Sequence, residues 1–131
     1  MDYVRLGKTG LKISRIALGC MSYGDPTTTN AHTWGEQSHR SSVDKVVKAF
    51  DSPLDEPVVN AVRRVSEARG ASMAQVALAW VLNSPAVSAP IVGATKPHHL
   101  PEAIAALDLH LTHDEIRSLE GPYTPHGPSW Y

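Results

Sequence analysis

The stretch that most constrains the fold of this chain is residues 89–102, which read APIVGATKPHHLPE. A short apolar run, residues 90–92, ends in Gly93-Ala94, and an amphipathic segment begins soon afterwards. This order predicts a buried strand that turns sharply into a helix. Thr95 is the candidate N-cap, and Pro97 would then lie in the first helical turn, where proline is tolerated.

From the residues alone, the turn after this strand has two interpretations. It is either an ordinary strand-to-helix connection or a phosphate site. The second interpretation arises because a helix N-terminus presents free N–H groups and the positive end of the helix dipole. Lys96 adds a positive charge at the same point. Physical chemistry by itself favours the ordinary connection, so the phosphate interpretation needs support from elsewhere in the chain.

The overall composition excludes several classes of protein. The chain has 131 residues, about the size of one domain, and is 42% hydrophobic and 19% charged, which is typical of a folded globular protein. Its net charge of −1, without a Lys/Arg cluster, argues against a nucleic-acid partner. Neither a membrane span nor a signal peptide is evident. We therefore expect a cytoplasmic protein with no membrane partner.

Metal and disulfide chemistry are also disfavoured. The single cysteine, Cys20, excludes an internal disulfide and argues against a Cys-based zinc site. His98 and His99 are adjacent and would point in different directions on a helix, which makes them poor joint ligands. The sequence therefore predicts no metal site.

The N-terminal third begins with strand signals and continues into a polar stretch. Residues 3–13 alternate apolar and polar side chains around the turn 7–10, GKTG, which predicts a β-hairpin. Residues 15–19, RIALG, predict a short buried strand. Residues 21–42 are polar with little periodicity, a length of loop that is usually functional or mobile. Residues 43–50 have the apolar spacing of a short helix.

The C-terminal half has the spacing of four helices and one strand. Asp55 is the candidate cap of a helix that ends at Gly70, and Ser72 begins a capping box for a second helix, which is apolar nearly all round and is expected to be well buried. A third helix is predicted from about residue 97 to residue 107. Thr112 begins another capping box. The apolar positions expected to face inward are Val58, Ala61, Val62 and Val65, then Val76, Ala77, Trp80 and Val81, then Leu100, Ile104 and Leu107.

Two blocks of this sequence resemble aldo-keto reductases. The first is YVRLGKTGLKISRIALGCMSYG near the N-terminus, which is similar to the hairpin and first barrel strand of that family. The second runs from ASMAQVALAWVL through APIVGATKPHHLPEAIAALDLHLTHDEI and is similar to the last barrel strand with its flanking helices. The resemblance covers most of residues 1–24 and 53–123. It implies a (β/α)8 barrel architecture and the cofactor NADP(H).

The resemblance also implies roles for particular residues. The family holds the adenosine end of the cofactor at the turn after the last strand, which corresponds here to Gly93, Ala94, Thr95 and Lys96, with Lys96 as the charge partner of the 2′-phosphate. His99 and Glu102 correspond to further adenosine contacts, and Glu102 would face the adenine. Ala103 stands where the family usually has Asn, which implies some loss of affinity. Gly19, Cys20 and Met21 correspond to positions near the nicotinamide.

The chain departs from the family in its middle. A complete barrel of this type needs roughly 250 residues, and the D-T-A-x-x-Y pattern that carries the catalytic Asp and Tyr of the family's Asp-Tyr-Lys-His tetrad is missing. We interpret this as an internal deletion of barrel strands two to seven, joined near Trp34. We assign no catalytic residue.

The resulting prediction is an α/β fold, a partial (β/α)8 TIM-barrel fragment. It has an N-terminal β-hairpin (1–24), a junction loop (25–52) and a mostly helical C-terminal half (53–131) that form one incomplete domain, in which barrel strands one and eight pair in parallel. Three functions remain open: an NADP(H)-dependent reductase of aldehydes or ketones, a non-catalytic remnant that binds nucleotide weakly, and an interaction fragment without ligand. Because the strand pair leaves two edges unpaired, we also expect a marginal monomer that self-associates, pairs with an intact relative or is partly molten.

Overall fold

The computed structural model describes residues 2–20, 53–94 and 96–125. The strands in this part of the chain are β1 (Tyr3–Arg5), β2 (Lys12–Ser14), β3 (Ala17–Gly19) and β4 (Ile91–Gly93). The α-helices are α1 (Glu56–Arg69), α2 (Met73–Asn83), α3 (His99–Ala105) and α4 (His113–Glu120). Four features of the sequence analysis lie outside the described residues: the predicted loop 21–42, the predicted helix 43–50, Thr95 and the proposed junction at Trp34.

The predicted hairpin is confirmed. Strands β1 and β2 pair antiparallel, with Val4 opposite Ile13. The turn between them needs two residues with positive φ, and both are glycines, Gly7 at φ 52° and Gly10 at φ 80°. Thr9 closes the turn, since its hydroxyl donates to the carbonyl of Leu6 at 2.7 Å.

The predicted parallel pairing of the two central strands is also confirmed. Strand β3 pairs with β4 in the register Ala17–Ile91, Leu18–Val92 and Gly19–Gly93. Between Gly19 and Ile91, the closest ends of the two strands, lie 71 residues of sequence, so their pairing brings the N-terminal segment onto the C-terminal half. Leu18 and Ile91 are nevertheless 46% and 77% exposed. The prediction that these strands are buried is therefore confirmed only in part. Ile16, in the predicted strand 15–19, is 7% exposed, and Ala17 and Val92 are half-buried. Leu18 and Ile91 are exposed because a two-stranded sheet offers few neighbours to cover its side chains.

The hydrophobic core lies among the helices instead. Ala61 and Val65 on α1, Val76 on α2 and Leu119 on α4 form one buried cluster. Val76 is the most deeply buried of them, with 0% of its surface exposed. Four partly buried side chains pack around this cluster: Val62, Ala71, Leu109 and Leu111.

The helix ends follow the sequence signals closely. Gly70 adopts φ 60° and ends α1, where its N–H approaches the carbonyls of Glu67 and Ser66. Ser72 forms the predicted capping box with Gln75, and Thr112 forms the other one at α4. Asp55 differs from its predicted capping role: it ends a 3₁₀ turn (Pro53–Asp55) with helical backbone angles rather than the extended angles of a cap residue.

Helix α2 is less buried than its composition predicts. Of its predicted inner face only Val76 is fully covered; Ala77 is exposed, and Trp80 is 42% exposed. Ala79, by contrast, is 3% exposed. Periodicity gives the apolar arc of a helix but not the number of elements that cover it. Among the described residues, the neighbouring elements cover only about one side of α2.

Helix α3 is shorter than predicted and rotated relative to the prediction. It begins at His99 rather than at residue 97, and it passes into a 3₁₀ turn at Ala106–Asp108. Leu100 and Ile104, expected inside, are 36% and 41% exposed. Ala103 and Ala106 are buried instead, because small side chains let α3 approach α2 closely.

The Arg69–Glu115 ion pair joins α1 to α4. Arg69 Nε lies 3.2 Å from Glu115 Oε1, and the same guanidinium donates to the carbonyl of His110. Glu115 Oε2 accepts the N–H of Thr112 at 2.7 Å. That backbone hydrogen bond is the main reason that the pKa of Glu115 is lowered from 4.5, with the Thr112 side chain and the Arg69 charge adding to it and burial opposing it.

Replacing Glu115 by Gln is expected to reduce stability in a pH-dependent way. The folded-state pKa of Glu115 lies below its unfolded value, so its carboxylate stabilises the fold above pH 4.5, and this contribution is lost as the pH falls through the folded pKa. Glutamine still accepts the Thr112 N–H but carries no charge. We expect a cost of about 0.5–1 kcal/mol at pH 7 that shrinks towards zero in acid, as measured by urea unfolding. A difference that stays constant with pH would contradict this account.

Candidate functional site

The predicted cofactor residues adjoin an open groove between β4, α2 and α3. The groove has a volume of about 460 Å³. Its floor is apolar and comes mainly from α2, while β4 forms one wall and the first turns of α3 form the other. Ten residues line it: Ala74, Ala77, Leu78, Val81, Ile91, Val92, Gly93, His99, Glu102 and Ala103.

Three of the six predicted cofactor residues line this groove directly. They are Gly93 at the end of β4, and His99 and Glu102 on α3. Both side chains on α3 are half-buried. The ring of His99 meets that of His98 edge to face, with centroids 4.7 Å apart. The structure therefore brings an imidazole and a carboxylate to one wall of an apolar groove.

The other three predicted residues follow β4. Ala94 is 1% exposed, so its side chain packs inside the protein beneath the turn and is not part of the surface of the turn. Lys96 is exposed, so its ammonium group is accessible to an anion. Thr95, between them, lies outside the described residues. The turn thus presents one positive charge beside the groove.

The start of α3 is a poorer phosphate site than the sequence suggests. The helix has seven residues. The N–H of His99 already donates to the carbonyl of Lys96, and the N–H of Glu102 donates to the carbonyl of His98, both at 3.1 Å. Pro101 has no N–H. Since so few backbone donors are left, recognition of an anion here would depend on the Lys96 side chain and on the turn that precedes the helix.

Candidate catalytic and metal groups do not gather at this groove within the described residues. Tyr3 lies on β1 and Tyr123 follows α4, and neither lines the groove. Tyr23 and Tyr131 lie outside the described residues. In residues 2–20, 53–94 and 96–125 there is no group of three or more His, Cys, Asp or Glu side chains suited to a metal ion. Over the same ranges, no helix combines the length and the apolar character needed to cross a bilayer.

The structure contains a second groove that the sequence does not predict. It has a volume of about 710 Å³ and lies between α1, α2 and the end of α4. Its walls are apolar except for Glu120, whose Oε1 accepts the indole N–H of Trp80 at 3.0 Å. Tyr123, 59% exposed, lines its rim. The only sequence signal for it is the apolar surface of α2 that extends beyond one helix face.

Comparison with known proteins accounts for the order of these elements. The model of the aldo/keto reductase family matches residues 14–123, which include β3, β4 and all the helices described above. The chain belongs to the aldo/keto reductase family. This confirms the resemblance drawn from the two sequence blocks, and membership implies a (β/α)8 barrel architecture, of which the described residues contain small sheets and helices.

Several curated proteins are similar to parts of this family member. A versiconal hemiacetal acetate reductase from Aspergillus parasiticus is 40% identical over 80 residues, which are 61% of this chain and 23% of that protein. A putative aryl-alcohol dehydrogenase from Saccharomyces cerevisiae is 44% identical over 68 residues, 52% of this chain and 19% of that protein. A probable voltage-gated potassium channel subunit beta from Oryza sativa is 41% identical over 51 residues, 39% of this chain and 16% of that protein. The chain thus spans a quarter or less of each of these three relatives.

Proposed function

We propose that this chain keeps the adenosine-phosphate half of an NADP(H) site of the aldo-keto reductase type and does not reduce carbonyl compounds by itself. The observation that supports the proposal is the convergence of Gly93, His99 and Glu102 on one apolar groove, with the exposed Lys96 at the turn beside it. The relatives' names, a reductase and a dehydrogenase, agree with an oxidoreductase origin.

The residues of the groove fit the chemistry of an adenosine phosphate. An apolar floor suits the faces of a purine ring, and the Glu102 carboxylate is an acceptor suited to an exocyclic amine. The Lys96 ammonium is a donor suited to the 2′-phosphate. Ala103 is buried and offers no polar group. One hydrogen bond fewer would weaken binding by about 0.5–1.5 kcal/mol.

The sequence is the reason that we assign no catalytic residue. NADP(H), when bound, supplies the hydride in carbonyl reduction; the protein must supply a positioned acid. The family pattern that carries the catalytic Asp and Tyr is missing here. We therefore propose that this polypeptide is a non-catalytic remnant with an internal deletion rather than a complete NADP(H)-dependent reductase.

Replacing Lys96 by Gln is expected to abolish a preference for NADP⁺ over NAD⁺. The two nucleotides differ in the 2′-phosphate, so a Lys96 contact predicts tighter binding of NADP⁺ by about tenfold, and the glutamine variant should bind both alike. Isothermal titration calorimetry with each nucleotide measures this. Lys8→Gln, on the hairpin turn, is the matched control and should leave the preference unchanged.

Two results would contradict the proposed function. One is equal affinity of the wild-type chain for NADP⁺ and NAD⁺, or no heat of binding with either nucleotide. The other is oxidation of NADPH by the purified chain in the presence of a reactive aldehyde, which would show that an acid group outside the assignments above completes the site.

A further inference from the structure

The outer edge of β4 carries backbone groups that have no partner strand among the described residues. The N–H of Ala17 donates to the carbonyl of Pro90 at 3.0 Å, and Ala17 lies opposite Ile91 in the parallel register. In a parallel ladder this arrangement directs the N–H and C=O of Val92 towards β3. The N–H and C=O groups of Ile91 and Gly93 therefore point away from β3, along the edge that has no partner strand within the described residues.

The outer edge of β3 differs from that of β4. On β3 the carbonyl of Leu18 accepts the thiol of Cys20, with Sγ at 3.7 Å. Just before the strand, the carbonyl of Ile16 accepts the hydroxyl of Ser14 at 2.6 Å. Local side chains thus occupy one outward-facing acceptor of β3 and the acceptor of the residue before it. Of the two edges of this small sheet, the β4 edge is the one prepared to add another strand.

We propose that two copies of this chain pair through their β4 strands. The pairing is antiparallel about a twofold axis at Val92, so that Ile91 of one copy lies opposite Gly93 of the other. Residues 91 and 93 then form two reciprocal hydrogen-bonded pairs, and Val92 meets Val92 of the second copy as the non-hydrogen-bonded pair between them. The result is a four-stranded sheet in the order β3-β4-β4-β3.

The side chains along the edge are complementary in this arrangement. Ile91 is 77% exposed, the most exposed large apolar side chain of the described residues. A Cβ placed on Gly93 would meet nothing within 4 Å, so Gly93 leaves open space beside the strand. Ile91 already covers a glycine within its own chain, since a Cβ on Gly19 would lie 3.2 Å from Ile91 Cγ2. In the dimer it covers Gly93 of the second copy in the same manner.

The partner is a second copy because the edge is self-complementary. An exposed isoleucine and an open glycine stand two residues apart on the same strand, with outward-facing backbone groups at both. A twofold axis places each isoleucine on the other copy's glycine. Neither lysine nor proline, the residues that usually protect a sheet edge, lies at positions 91–93.

Analytical ultracentrifugation of the full chain, from low to high micromolar concentration, tests this pairing. We expect a reversible dimer that weakens at least about tenfold in Ile91→Lys, because the ammonium group replaces the apolar contact with Gly93 of the second copy. Leu18→Lys, which places the same charge on the β3 edge, is the control and should dimerise like the wild type. Circular dichroism confirms that each variant is folded.

Disulfide cross-linking tests the register. In the Cys20→Ser background, Val92→Cys should give a covalent dimer on mild oxidation, because Cα atoms of a non-hydrogen-bonded pair lie about 4.5 Å apart, within disulfide reach. Leu18→Cys in the same background should give no covalent dimer, because position 18 lies on the β3 edge, away from the twofold axis. A monomeric wild type would overturn the proposal. A dimer that persists in Ile91→Lys but is lost in Trp80→Ala would also overturn it, because the contact would then lie at the second groove. Neither outcome depends on nucleotide binding.

Discussion

Replacing Val76 by Asp is expected to abolish the cooperative unfolding transition of this protein. Val76 has 0% of its surface exposed and lies at the centre of the cluster formed by α1, α2 and α4. A carboxylate there would be buried, or the helices would have to separate to hydrate it. The cost is several kcal/mol, comparable with the total stability of a small domain.

Thermal unfolding followed by far-ultraviolet circular dichroism measures this effect. The matched control is Val59→Asp on α1, because Val59 is 42% exposed and lies near the helix N-terminus, where a negative charge is tolerated. We expect that control to unfold like the wild type. Equal stability of Val76→Asp and Val59→Asp would show that the helical cluster is not the core.

Replacing Leu119 by Ala is expected to cost about 3 kcal/mol. Leu119 is 5% exposed and is the residue through which α4 enters the buried cluster. The loss combines the transfer free energy of the missing atoms with the cavity left behind. Part of the side chain borders the second groove, so partial collapse there would reduce the cost.

Urea unfolding gives the free energy for this comparison. Leu11→Ala on the hairpin is the control, since Leu11 is 56% exposed and its truncation should change stability by no more than about 0.5 kcal/mol. A similar loss in both variants would mean that the hairpin contributes to the core as much as α4 does.

The sequence predicts those features that depend on neighbouring residues. Gly7 and Gly10 have positive φ because the hairpin turn requires it, and Gly70 ends α1 in the same region. The capping boxes at Ser72 and Thr112 form as predicted because each is a local exchange of hydrogen bonds within four residues. The family resemblance rests on the same local order of strands, turns and helices.

The candidate site was predictable only in part. Gly93, His99 and Glu102 line one groove, and their role in holding a cofactor stays a prediction. The sequence predicts the start of α3 two residues too early, at about residue 97 rather than at His99. The N–H groups of His99 and Glu102 donate to preceding carbonyls and are therefore not free for an anion. These hydrogen bonds depend on the turn geometry, which composition does not specify.

Burial is where sequence and structure differ most. The sequence by itself determined the helices and the turns, because these follow from local hydrogen bonding. The order of its motifs indicated the family, and the parallel strand pair was implied by that resemblance. The tertiary structure decided which apolar residues are covered. Ile91 and Trp80 are exposed, whereas Ala103 is buried, since burial depends on which elements stand opposite a side chain and not on its own hydrophobicity. Among the described residues, β4 lines an open groove and has one edge without a partner strand.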